Sequence, residues 1–312
     1  MSAKQVHPVS ISAGFAATLA ATALVSCAPL PAPVAINEAA LATPQQWAAS
    51  CRGYDREDWD TPAPPYRIFA NTYQVGTCGL TSVLVVGDEG AVLIDPLTEG
   101  GAKVVLANVE RLGLQADDVR YLVLSHEHFD HAGGAAYVVG KSGAHLLTGS
   151  EAAKVMSSGT VDPADPQADW LPAMPPVKVS RILGEEETLS LGSIEMHGFS
   201  TPGHTAGAYS WSWNACDQGD CRRIVFADSL SPANGDSWRW SDHPAAAALL
   251  RKGLARLAAE PCHILITGHP GGSGMVTNAK AGIAGGNITC AQYAATQSKM
   301  LSDKIAAEQM TK

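Results

Sequence analysis

The chain has 312 residues, 46% of them hydrophobic and 16% charged, a balance that allows one large domain or two small ones around a sizeable core. Its formal net charge of −9 argues against a nucleic-acid partner, which requires a basic face. Lys4 and His7 precede an uncharged, apolar run from Ile11 to Val25. Its length and flank fit a secretory signal and are too short for a membrane span. Ala28-Pro29-Leu30-Pro31-Ala32-Pro33 cannot continue a helix and reads as linker. The expected organisation is a signal peptide over 1–27, a linker over 28–44 and one domain over 45–312. Leu24-Val25-Ser26-Cys27 resembles a bacterial lipobox, so lipidation at Cys27 and ordinary cleavage near Ser26 are both open.

From Ala35 to Tyr66 no clear period emerges, and Trp47 and Trp59 read as residues that pack across the domain. Tyr73 to Val75, Thr81 to Val86 and Ala91 to Asp95 read as strands, with Gly87-Asp88-Glu89-Gly90 as a hairpin turn. Asp95 closes a strand, where its carboxylate either buttresses a neighbouring loop or caps the chain. Ala102 to Leu112 has helical spacing and stops at Gly113. Val119 to Ser125 reads as a buried strand. It delivers His126-Glu127-His128-Phe129-Asp130-His131, after which Gly133-Gly134 turn into a helix through Lys141. Ala144 to Thr148 is a further strand, and Ser150 caps a helix to Met156.

Gly159 to Pro176 is a long aperiodic loop, either a lid with Trp170 and Leu171 facing substrate or a surface excursion. Thr188 to Leu191 and Ile194 to Ser200 pair as strands and lead into the rigid turn Thr201-Pro202-Gly203-His204-Thr205. Ala208 to Trp213 and Arg223 to Ala227 are strands on either side of a Cys216–Cys221 loop. Pro244 to Ala259 is an amphipathic helix. His263 to Thr267 is a buried strand ending in Gly268-His269-Pro270, and a helix runs from about Ala291 to Glu308. Strands then helices, twice over, predict two sheets packed face to face with helices outside.

The chemistry gathers at three strand ends. His126 and His128, at i and i+2 after a strand, can share one ion with His204. Asp130 and His131, pointing elsewhere, can share a second with His269. Imidazole and carboxylate without thiolate suit catalytic zinc, each set leaving room for water. His7 lies in the leader, and His145, His197, His243 and His263 read as surface, core or capping residues. Seven cysteines are present; without Cys27 six remain, an even number suited to an oxidising compartment. Cys216 and Cys221 should close on each other; the other four allow three pairings.

His126-x-His128-x-Asp130-His131, Thr201-Pro202-Gly203-His204-Thr205 and Gly268-His269-Pro270 together resemble the metallo-β-lactamase superfamily over about residues 45–310. Asp130-His131-His269 as second ligand set and Ala227-Asp228-Ser229-Leu230-Ser231 are similar to subclass B3. That resemblance implies an αββα sandwich of two mixed sheets and two zinc ions per chain. It implies hydrolysis of the β-lactam amide, carbapenems included, by a zinc-bound hydroxide that Asp130 orients, with Ser229 and Ser231 hydrogen-bonding the substrate carboxylate directly or through water. It further implies the disulfides Cys262–Cys290, Cys51–Cys78 and Cys216–Cys221. The expected protein is a periplasmic monomer, soluble or anchored through Cys27, acting on a small molecule. Ala206-Gly207-Ala208-Tyr209 departs from the Pro-Gly-Ser-Thr usual after the third-strand His. Asp228 stands close to where lactonases and glyoxalase II carry a metal-bridging Asp, so a lactone or thioester hydrolase is the alternative. A zinc-binding envelope lipoprotein without catalysis is the third reading.

Overall fold

The computed structural model describes Ser2 and residues 35–311. The leader, its Cys27 and the start of the linker therefore lie outside the described residues. The chain divides into two units, Met1–Pro31 and Ala32–Lys312, and every element below belongs to the second.

Two mixed sheets form the centre of this unit. The larger has seven strands in chain order: β1 (Tyr66–Phe69), β2 (Thr72–Gln74), β3 (Val83–Gly87), β4 (Gly90–Ile94), β5 (Val119–Val123), β6 (His145–Gly149) and β7 (Arg181–Leu183). β1 to β4 are antiparallel; β4 to β7 run parallel. The smaller has five strands. β8 (Glu186–Leu191), β9 (Ile194–Ser200), β10 (Tyr209–Asp217) and β11 (Asp220–Ala227) are antiparallel, and β12 (Ile264–Thr267) joins β11 in parallel.

Strand alternation explains the layers. Val83, Val85, Val92 and Ile94 point inward and meet Met196, Trp211, Trp213 and Phe226 of the smaller sheet. Their neighbours Leu84, Val86 and Leu93 point outward, against Val105 and Val109 of α2 (Glu99–Arg111) and Val138 of α4 (Ala135–Ser142). On the far side Phe199, Val225 and Leu265 pack on Leu250, Leu254 and Leu257 of α6 (Pro244–Ala258) and on Tyr293 and Leu301 of α8 (Cys290–Met310). The order is helices, sheet, sheet, helices. Truncating Trp211 or Trp213, both fully buried, to Ala costs about 3–5 kcal/mol.

Smaller elements complete the unit: α1 (Pro44–Ser50), α3 (Phe129–Ala132), α5 (Ser150–Ser158) and α7 (Met275–Ala281). β1, β7, α1, α3 and α7 were not anticipated. Ser150 does not cap α5: it is the first helical residue, Gly149 is the cap, and no side chain bonds the helix end. The described part of the 28–44 segment touches the domain, with the Asn37 amide donating to the Leu112 carbonyl and Ala42 bridging to Tyr66. Cys51–Cys78, Cys216–Cys221 and Cys262–Cys290 are bonded. Among the described residues no helix is long and apolar enough to cross a membrane.

Candidate metal centre

Asp95 follows β4, His126 follows β5, His204 follows β9, Asp228 follows β11 and His269 follows β12. These strand ends converge at one edge of the sandwich, where irregular backbone is free to face a cleft. The six-residue motif splits in direction because its chain changes conformation. His126 lies in irregular chain after β5 and His128 in extended backbone; α3 then begins at Phe129 and swings Asp130 and His131 elsewhere. The His204 turn is equally constrained. Gly203 has φ +140, and a Cβ there would run into the Leu250 backbone of α6, so only glycine fits.

The rings of His126, His128 and His204 form a near-equilateral triangle with centroids 4.7, 4.8 and 4.8 Å apart. One ligand atom from each lies within 4.8 Å of the others, and all three residues are buried. Asp130, His131 and His269 converge more tightly. Asp130 Oδ2 is 3.3 Å from His131 Nε2 and 3.2 Å from His269 Nε2, and the two imidazole nitrogens are 3.4 Å apart. Donors bonded at zinc distances around a tetrahedral ion lie roughly 3.3–3.6 Å apart, so this set is at the required spacing. A further triad, His126, Asp130 and His131, also lies within 4.8 Å, which places the two sets side by side.

The opposite ring nitrogens are held by the protein. His126 Nδ1 lies 2.8 Å from Asp228 Oδ1, His128 Nε2 3.0 Å from Asp165 Oδ2, and His131 Nδ1 3.1 Å from Asp95 Oδ2. His204 Nδ1 faces the Ser231 carbonyl at 2.9 Å and the Ser231 hydroxyl at 3.3 Å. Such outer partners fix ring orientation and raise ligand basicity. His126 Nε2 is buried without a hydrogen-bond partner, an atom left free for an ion. The residues therefore fit a bound metal.

Electrostatics separate the ligands even within the three-His set: burial lowers His128, but its bond to Asp165 raises it above the ordinary value. Burial, then the neighbouring imidazoles, holds His126 well below its ordinary value and His204 at about 3. Both rings are neutral, the form that binds metal. Burial pulls His131 down as well, but Asp130 and then Asp95 overcome it and push the ring up to about 10. Burial lifts Asp130, yet His131 and His269 bring its carboxyl well below the carboxylate range. Burial pushes Asp228 up to about 8.

Asp228 is the residue on which the lactone or thioester alternative turns. Its Oδ1 lies 2.8 Å from His126 Nδ1 but is buried without a hydrogen-bond partner, and its Oδ2 accepts from the Leu230 amide. It sits at the Nδ1 edge of the His126 ring, away from the free Nε2. The next residues are set by Leu230, buried at φ +43. That left-handed backbone, held by apolar packing, aims Ser229 at the cleft. Ser229 Oγ is buried without a partner, and its carbonyl accepts from the Tyr293 hydroxyl. Ser231 lines the same cleft while its hydroxyl lies at His204.

The cleft is a cavity of about 260 Å³ between the metal loops. Trp170 and Leu171 of the 159–176 loop line it, as does Trp59. Trp59 was expected only to pack; one face meets the outer core, while the ring lies 5.9 Å from His269. The same loop supplies Asp165 to His128 and Gln167, whose Nε2 is 3.4 Å from His204 Nε2. Neither residue was foreseen; only the length of the loop signalled a role. Asp95 buttresses the centre, taking the Ser125 amide at 2.6 Å and hydroxyl at 2.7 Å besides His131. His145, His197, His243 and His263 join neither ligand set.

A model of the metallo-beta-lactamase superfamily matches residues 75–269. Among solved structures, the metallo-beta-lactamase MIM-1 from Novosphingobium pentaromativorans is 39% identical, with TM-score 0.82, over 86% of this chain and 99% of that one. MEM-A1, a subclass B3 metallo-beta-lactamase from a soil metagenome library, is 36% identical, with TM-score 0.77, over 82% of this chain and all of that one (100%). Among curated proteins, a probable metallo-hydrolase of Burkholderia pseudomallei is 27% identical over 145 residues. That match spans 43% of this chain and 47% of that protein, less than half the relative's length.

Proposed function

This chain belongs to the metallo-beta-lactamase superfamily, and from that premise we propose that it hydrolyses the amide bond of β-lactams with two zinc ions. The observation that carries this reading is the pairing of a three-His set and an Asp130-His131-His269 set beside Ser229 in one cleft. Subclass B3 enzymes among the structural neighbours support the substrate class. His126, His128 and His204 would hold the first ion, and Asp130, His131 and His269 the second. Zinc, when bound, supplies Lewis acidity towards a carbonyl and lowers the pKa of water.

The chain's own groups do the rest. Asp130, at the junction of the two sets, orients the attacking water. The ring carbonyl lies towards the three-His set and the ring nitrogen towards His269. Ser229 donates to the substrate. It is not a nucleophile, because its Oγ has no hydrogen-bonded base to activate it. Ser231 holds His204 in register and borders the substrate. Trp59, Trp170 and Leu171 cover the cleft and exclude water. The three disulfides fit an oxidising compartment, and with the apolar leader they support export to the periplasm with cleavage at or near Cys27. A monomer is the assembly proposed.

The test is hydrolysis of nitrocefin and a carbapenem by zinc-loaded and chelator-stripped protein. Turnover confined to the zinc form is expected. Retained turnover without metal overturns the mechanism. Turnover of an acyl-homoserine lactone or a glutathione thioester, with none of a lactam, reassigns the substrate. Bound zinc with no turnover of any of these leaves a zinc-binding protein.

A further inference from the structure

We propose that Arg56 receives the ring carboxylate of the substrate and is thereby a specificity-determining residue of the cleft; this rests on the β-lactam reading above. Among the described residues Arg56 is the one Lys or Arg lining the cavity. Asp55, Glu57, Asp58 and Asp60 surround it in sequence, yet its guanidinium makes no hydrogen bond or ion pair with any described residue. It lies instead over the Trp59 ring, 5.4 Å from the centroid. The same ring faces His269 at 5.9 Å. The cavity thus has two chemically different ends. Gln167 and Ser231 stand by His204, whereas Trp59 and Arg56 stand on the side of His269.

The base of Arg56 is anchored while its head is unoccupied. Arg56 opens a single 3-10 turn, Arg56–Asp58. The Gly79 amide donates to the Asp58 carbonyl at 3.1 Å and the Cys78 amide to the Thr61 carbonyl at 3.0 Å. Pro62 bridges to Thr77, and the Cys51–Cys78 disulfide closes the segment from its other end. Gly79 is required here, because a Cβ would come within 2.9 Å of both Trp59 Cδ1 and the Asp55 carbonyl. Asp60 also takes the Thr98 hydroxyl. This clamp fixes the backbone from which one cation reaches the cleft.

Substrate chemistry places the anion at that end. In a β-lactam the carboxylate sits on the carbon bonded to the ring nitrogen. With the nitrogen directed at Asp130, His131 and His269, the carboxylate falls beside His269 and Trp59. A guanidinium pairs a carboxylate through two parallel N–H donors, and aromatic stacking leaves those edges free. Ser229 Oγ, buried and without a partner, offers a further donor from the same cavity.

The experiment is a cycle between residue and substrate: zinc-loaded wild type, Arg56→Met and Arg56→Lys, each with benzylpenicillin and its methyl ester. Arg56→Met should lower kcat/KM for the acid about tenfold, mainly through KM, and leave the ester within about twofold. Arg56→Lys should recover part of the loss, and wild-type KM for the acid should rise with salt more than that of Arg56→Met. Zinc content and Tm are read alongside and should not move. An equal loss for acid and ester, or no loss for either, overturns the assignment. Wild-type protein that turns over neither compound overturns the β-lactam reading itself, and the Arg56 assignment with it.

Discussion

Glu127 accepts a 2.7 Å hydrogen bond from the Thr205 hydroxyl, across 78 residues of sequence. Glu127 sits between His126 and His128, and Thr205 follows His204, so this bond joins the two loops that build the three-His set. The Gly207 amide adds a second bond to the same carboxylate at 3.1 Å. Burial pushes the Glu127 pKa up, and the Thr205 bond opposes that shift. Thr205→Val keeps the shape and deletes the donor. It leaves a buried carboxylate with one partner fewer, at a cost of about 1–3 kcal/mol. Zinc affinity, measured by competition with a chromogenic chelator, should fall on the order of tenfold. Unchanged affinity with lowered Tm would make the bond a stabilising contact alone.

Asp228→Asn separates the two substrate readings by metal content. An amide oxygen can still fill the position 2.8 Å from His126 Nδ1 that Asp228 Oδ1 occupies. The variant should therefore keep both ions and lose about tenfold or less in metal affinity. A bridging carboxylate replaced by an amide would instead leave one ion unheld. Elemental analysis after dialysis against limiting zinc reads the difference, and a drop to one ion per chain would assign Asp228 the bridging role.

The 159–176 loop is fastened on its outer side. The Ser237 amide donates to Asp169 Oδ2 at 2.9 Å and the Gly235 amide to the Pro166 carbonyl at 2.8 Å. The first bond lowers the Asp169 pKa. The fastened loop carries Asp165 to His128 and Trp170 to the cleft. Asp169→Ala removes one of these fastenings without touching the cleft. Hydrogen exchange over residues 159–176 should accelerate and KM should rise on the order of threefold, with kcat less affected. Exchange that is unchanged would show that Pro166 and Gly235 suffice.

The parts of the centre that were legible in sequence are local. A ligand pair at i and i+2 beside Gly-Gly, a His within Thr-Pro-Gly-His-Thr and a His before Pro declare themselves without a fold. Strands β3, β4 and β12 were legible because unbroken apolar runs of buried strands are conspicuous, and β5 because its apolar residues outweigh Arg120. β1 and β7 were not: Tyr-Arg-Ile-Phe follows two prolines, and β7 has only three residues, of which Arg181 and Ile182 are exposed. The outer partners were hidden for another reason. Asp165 reaches His128 over 37 positions and Asp95 reaches His131 over 36. No periodicity encodes such a pairing; the sandwich creates it by bringing strand ends together. Asp228 shows the limit most clearly, since one residue of register separates bridging two ions from supporting one ring.

Glu260 sets a limit on acid stability away from the metal centre. Its Oε1 accepts from Ser212 Oγ and Arg223 Nη2, both at 2.8 Å, and its Oε2 from Arg256 Nη1 at 3.3 Å. Burial alone would raise its pKa; Arg223, then Ser212 and Arg256, bring it below the ordinary 4.5. A carboxylate with a depressed folded pKa binds its proton more readily in the unfolded chain. The stabilisation is therefore complete above about pH 4.5 and is lost as pH falls through the lower folded value. Glu260→Gln should cost about 1–3 kcal/mol at pH 7, and the gap to wild type should narrow between about pH 5 and pH 3. Denaturant melts on metal-free protein at both ends of that range keep loss of zinc in acid out of the comparison. A gap that stays constant with pH would mean that the charge on Glu260 contributes nothing and only its shape and hydrogen bonds matter.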